Sequence, residues 1–376
     1  MVSREAPSVY ASRLASLRAV LATRELGGCL VPHADEHLGE YVPASAERLA
    51  WLSGFTGSTG LALVLADRAA LFTDGRYILQ AKAEIDPTLW EIHHSRERPP
   101  EKWLGEAAPG ARIGYDPMLI TESALVQFAA AGIEMIAAAA PGEAAAGGQA
   151  NPIDLLWTTR PSPPLAPCEP HPLVYAGEES AVKRARLGRV LAAAGEDAAV
   201  LSDPASVNWL LNVRGRDLEF TPVALGFALL FADGHASLFM PEEKLSPATR
   251  AWLGAEVVIA PPAALGDALA ALKGRRVRVD AAATPAWFAA KLRASGAVVS
   301  AAPDPCRLPK ACKNRTECAG ARAAHRRDAT AVASFLAWLA LVAKGGHETE
   351  CSAAARLYSL RRALPGFVGE SFPAIS

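Results

Sequence analysis

Four side chains able to hold a metal, Cys306, Cys312, Cys318 and His325, fall close together in the chain. A structural zinc site would need tightly paired cysteines, and that spacing is lacking, so the cysteines read as scattered small apolar residues. His347-Glu348 has no second histidine four residues on, and the helical zinc-protease pattern fails. No Gly-x-Ser-x-Gly nucleophile elbow occurs. Gly54, Gly57 and Gly60 punctuate one loop, but a strand pattern follows it rather than Lys-Ser/Thr and a helix. A tight turn is expected there, not a phosphate cradle. His37, in the polar patch Asp35-Glu36-His37, reads as an exposed loop residue, and His325 as a helix-surface or interdomain residue. No catalytic or metal-ligating residue is assigned.

The elements that must carry these residues alternate between helix and strand, which indicates an α/β fold. A helix with Leu14, Leu17, Val20 and Leu21 on one face leads to a short buried strand, Cys29-Leu30-Val31. Two apolar runs, 61–65 and 69–72, flank Ala66-Asp67-Arg68 as a hairpin. A strand near Ile133–Ile136 precedes a loose Ala/Gly-rich connection, and the proline-rich stretch 161–172 is a stiff linker. The theme then repeats. A helix (183–194), a strand (198–201), a helical turn (207–211) and a second hairpin (224–231 with 236–239) follow one another, with later strands near 277–279 and 297–300. Two similar α/β domains in tandem account for this order. From Pro309 on, a helix over 317–342 carries an apolar stripe of Val332, Phe335, Leu336, Leu339 and Val342. Thr349 caps a further helix through Leu364, and the last residues read as a strand edge.

The chain has 376 residues, 51% hydrophobic and 20% charged, with ample material for a core. A formal net charge of −1 argues against a nucleic-acid partner. The apolar run 223–232 is too short to span a bilayer, so no membrane partner is expected. Six cysteines without framework spacing fit a reducing cytoplasm.

An ordered set of motifs resembles aminopeptidase P (Xaa-Pro aminopeptidase). It opens with Trp51-Leu52-Ser53-Gly54-Phe55-Thr56-Gly57-Ser58 and Thr73-Asp74-Gly75-Arg76-Tyr77. It continues through Ile153–Pro161, Asn208–Gly215, Lys313-Asn314 with Glu317, and Phe367–Pro373. The resemblance implies the three-domain form: an α/β chain of two tandem creatinase-N-terminal-like domains with mixed sheets, 1–160 and 161–308, then an incomplete start of a pita-bread (α+β) catalytic domain, 309–376. It implies two divalent metals, usually manganese, held by Asp, His and Glu ligands that would follow Ser376. The expectation is therefore an enzyme fragment without its metals and inactive alone. The alternatives are a non-catalytic peptide-binding or oligomerisation protein, and a hydrolase completed by a separate polypeptide. The implied partner is a peptide with proline at the second position, with a homodimer open for the complete enzyme.

In that family the arginine of the Asp-Gly-Arg-Tyr motif contacts the bound peptide, which singles out Arg76 as a substrate-binding residue. A guanidinium suits a peptide carbonyl or carboxylate through its rigid donor fork. A salt bridge to Asp74 is the structural alternative. Arg214 reads as a junction anchor more than as a cleft residue.

Overall fold

The computed structural model describes residues 7–138 and 150–375. The expected loose connection after Ile136 lies largely outside them. The first sheet is built from β1 (Gly28–Pro32), β2 (Leu61–Leu65), β3 (Ala69–Thr73), β4 (Glu91–His94), β5 (Arg112–Tyr115) and β6 (Glu134–Ala137), in the spatial order β4-β3-β2-β1-β5-β6. β2 joins β1 and β3 antiparallel, while β4, β5 and β6 add in parallel. The helix Pro7–Thr23 lies on one face because Leu14, Leu17 and Leu21 share its buried side; Val20 is half-buried. Each of those leucines contributes about 2 kcal/mol by leaving water.

A two-stranded pair, β7 (Glu169–Pro170) with β9 (Val213–Arg214), brackets the entry to the second sheet. That sheet holds β8 (Ala198–Leu201), β10 (Phe227–Phe231), β11 (Ala236–Phe239), β12 (Val257–Ala260), β13 (Arg276–Val279) and β14 (Val298–Ala301), ordered β12-β11-β10-β8-β13-β14. Strand for strand this is the layout of the first sheet, with the same parallel and antiparallel neighbours. Both hairpins fall within the continuous apolar runs, because their strands are largely buried on both faces.

The two sheets are joined by more than the proline-rich linker. Residues 117–123 pair with 281–287: Trp287 N–H donates to the Pro117 carbonyl (3.0 Å), Ala286 N–H to that of Ile120 (2.8 Å) and Ser123 N–H to that of Ala281 (3.0 Å). Met118 is buried in the cluster formed by Trp287, Phe288 and Leu292.

The described residues from 309 on are mainly helical. Asn314 starts the helix Arg315–Val342 with a reciprocal capping box to Glu317, so the helix begins earlier than its apolar stripe suggests. Thr349 caps Glu350–Arg362 in the same manner with Ser352. The two helices run antiparallel, with Arg361 paired to Asp328 (2.8 Å) and Arg356 over the Trp338 ring (5.8 Å). Ser371–Ile375 is irregular, not the expected strand edge. Leu336 and Leu341 are exposed. Among the described residues one helical stretch, Arg315–Gly345, rather than the apolar run 223–232, is long and apolar enough to cross a membrane.

Candidate functional site

The loop that follows the helix Arg48–Ser53 and the turn that follows β3 meet at one end of the first sheet. Gly54 ends the helix in the left-handed region (φ 82°), donating its N–H to the Ala50 carbonyl. At Gly57 a Cβ would strike the rings of Phe55 and Tyr77, so the loop can lie flat only with glycine there. The loop is a turn before β2, as its spacing implied. Ser58 then hydrogen-bonds the Tyr77 hydroxyl (2.8 Å), and the Thr59 carbonyl accepts the Thr73 hydroxyl (2.5 Å). The two motifs most specific in the sequence are thereby one structure.

Arg76 stands on this support with its side chain 61% exposed. Its Nε and Nη2 engage Asp74 (3.1 and 2.7 Å), its backbone N–H donates to Asp74 Oδ1 (2.9 Å), and Nη2 also donates to Thr59 Oγ1 (3.2 Å). The guanidinium lies 5.1 Å from the Tyr77 ring centroid. Its hydrogen bonds to Arg76 hold the Asp74 carboxyl below the usual carboxylate range, and His94 adds to the effect. Glu40 adds a second negative charge close to Arg76. The site presents an exposed, oriented donor whose charge is already balanced. Arg76 is thus paired with Asp74 and still open to solvent.

The other residues singled out in the sequence go elsewhere. His37 is half-buried rather than exposed: its ring stacks on Phe227 (4.3 Å) and its Nδ1 lies 3.0 Å from the Ser202 carbonyl, so it belongs to the contact between the sheets. His325 is on an exposed helix surface, with its Nδ1 2.8 Å from the Ala321 carbonyl. Cys306 is buried, whereas Cys312 is exposed. Arg214 is half-buried in β9, near Glu317, His171 and Lys183.

One cluster escaped the sequence reading. Arg48 is fully buried and grips Asp154 (2.7 and 3.1 Å) and Glu36 (2.8 Å), while Arg160 reaches Asp154 (2.7 Å). Burial raises the Glu36 carboxyl, but the charge and hydrogen bond of Arg48, with smaller help from a backbone N–H and His37, together outweigh it and the net shift is downward. A lone arginine in an apolar helix beside the Asp35-Glu36 patch was the available signal.

Among the described residues no group of three or more His, Cys, Asp or Glu side chains could hold a metal ion.

The family model for the creatinase/prolidase N-terminal domain matches residues 13–139, and a second model of the same description matches 159–317. A probable Xaa-Pro aminopeptidase P of Aspergillus clavatus is 34% identical over 97% of this chain and 56% of its own length. That of Ajellomyces capsulatus is 33% identical over 98% and 62%. The crystal structure of an X-prolyl aminopeptidase from Caenorhabditis elegans, described as a cytosolic enzyme with a di-nuclear active site, superposes with a TM-score of 0.86 at 27% identity. It covers 96% of this chain and 61% of that one. The chain thus spans less than two thirds of the length of these relatives. The described residues do not fit a di-nuclear centre.

Two expectations are corrected by these matches. The expected division of the fold into two domains and a separate incomplete third is corrected: one superposition takes in 96% of the chain, so most of 309–376 superposes together with the two sheets. The expectation of an inactive fragment falls with it, since the sequence match runs through 97% of the chain and the position of the last residue says nothing about activity. The chain belongs to the creatinase/prolidase family, whose N-terminal domain it carries twice, and its relatives along 97% of its length are Xaa-Pro aminopeptidases P.

Proposed function

We infer that the protein acts as a Xaa-Pro aminopeptidase, releasing an N-terminal residue that proline follows, and that Arg76 contacts the peptide. The observation that carries this is 34% identity over 97% of the chain to a probable Xaa-Pro aminopeptidase P. Arg76 supports it as an exposed arginine held in place by Asp74 and Thr59 rather than spent on a buried pair. Its task is binding and orientation: a peptide fixed at one more point loses less freedom when it reacts. The substrate in this reading is a peptide with proline second, the metal to supply is manganese, and the compartment is the cytoplasm, as for the worm enzyme. The test is release of the first residue from matched Xaa-Pro and Xaa-Ala peptides by the purified protein supplied with manganese. Release confined to the Xaa-Pro peptide supports the reading; release from neither or equally from both overturns it.

A further inference from the structure

We propose that Thr59 decides which peptide group Arg76 can bind, selecting a chain carbonyl over a terminal carboxylate. The inference rests on the reading of Arg76 as a peptide-contacting residue. A guanidinium offers two two-pronged edges, one from Nε with Nη2 and one from Nη1 with Nη2. Asp74 fills the first, with Nε to Oδ1 at 3.1 Å and Nη2 to Oδ2 at 2.7 Å. Thr59 Oγ1 takes the remaining hydrogen of Nη2 at 3.2 Å and so blocks the second. Nη1 is left without a partner among the described residues.

Thr59 is fixed for this task. Its carbonyl accepts the Thr73 hydroxyl, and its neighbour Ser58 is tied to the Tyr77 hydroxyl, whose ring lies beside the guanidinium. A carboxylate gains most from two parallel donors, which this arginine no longer has. A peptide carbonyl needs one donor, which it does. The electrostatics agree: Asp74 neutralises Arg76 and Glu40 adds negative charge nearby, so little attraction is left for an anion. Thr59 acts through Arg76 and is a positioning residue.

The experiment is competition binding to the full chain by short Xaa-Pro peptides of graded length, each as free acid and C-terminal amide. The wild type is expected to bind the amide at least as well as the acid. Thr59→Val is expected to shift the acid-to-amide preference toward the acid by about tenfold, the lower end of what one charge-assisted hydrogen bond contributes. Thr59→Ser, which keeps the hydroxyl, is expected to restore the wild-type ratio, a rescue that a purely structural role of the threonine methyl would not give. Arg76→Ala is expected to weaken both forms. Acid preferred by the wild type, or an unchanged ratio in Thr59→Val, overturns the proposal alone. Arg76→Ala binding both forms like the wild type, or no binding by the wild type, overturns the reading of Arg76 and the proposal with it.

Discussion

Arg48 Nε and Nη2 reach the two carboxylate oxygens of Asp154, a residue 106 positions further along the chain, at 2.7 and 3.1 Å. The pair pins the helix that precedes the glycine loop to the short helix Pro152–Leu156, and Glu36 completes it from the polar loop. One nitrogen, Nη1, is buried without a hydrogen-bond partner among the described residues. Removing Arg48 leaves Asp154 with Arg160 and takes from Glu36 its close partner.

Arg48→Ala is therefore expected to destabilise the protein by about 3–5 kcal/mol in denaturant unfolding, the cost of breaking a buried pair. Arg48→Lys is expected to lose much of the same stability, since an ammonium cannot present the two-pronged edge that Asp154 uses. A loss under 1 kcal/mol for both would mean that the pair contributes nothing net.

Lys183 is buried on Asn212, donating to its Oδ1 (2.7 Å) and to the Trp209 carbonyl (2.9 Å). Burial lowers its pKa from 10.5 to about 8, with Glu317 and Glu178 opposing and Arg214 and Arg186 reinforcing the shift. The unfolded chain therefore holds this proton to higher pH than the folded one does. Folding stability is expected to rise from about pH 8 to 10.5 through this group. Lys183→Met should lack that rise when unfolding free energies are compared across the interval; an equal slope in both proteins would refute the assignment.

Asn212 sits in the left-handed region (φ 51°) and serves four partners: its Nδ2 donates to the Glu178 carbonyl, its Oδ1 accepts from Lys183, and its own carbonyl accepts from His171 N–H and Trp252 Nε1. Asn212→Ala keeps the carbonyl but leaves Lys183 short of an acceptor. A loss of about 2–3 kcal/mol is expected in thermal or denaturant unfolding. Asn212→Gly, which relieves the backbone but restores no hydrogen bond, should recover little of it.

His37→Ala removes the stack on Phe227 and the bond to the Ser202 carbonyl. A loss of about 1 kcal/mol is expected. Faster proteolysis within 33–41 than in the wild type would place that loss at the contact between the sheets; unchanged cleavage would place it elsewhere.

The long-range partners explain what the sequence disclosed and what it hid. The hairpins of β2 with β3 and β10 with β11 were legible because each is local, apolar and short-turned. β4, with the sequence Glu-Ile-His-His, was not, since its apolar content is one residue and its pairing with β3 supplies the rest. Arg76 was visible through its motif, whereas Thr59 and Glu40 were not, because nothing local announces that they converge on it. His37 was misjudged as exposed for the same reason: Phe227 and Ser202 come from the second sheet.

The most direct test of the account is the kinetic split of Arg76→Ala on a Xaa-Pro peptide amide. If Arg76 holds the peptide, KM rises about tenfold while kcat stays within about twofold of the wild type. An unchanged KM would contradict the account and leave Arg76 as nothing more than the partner of Asp74.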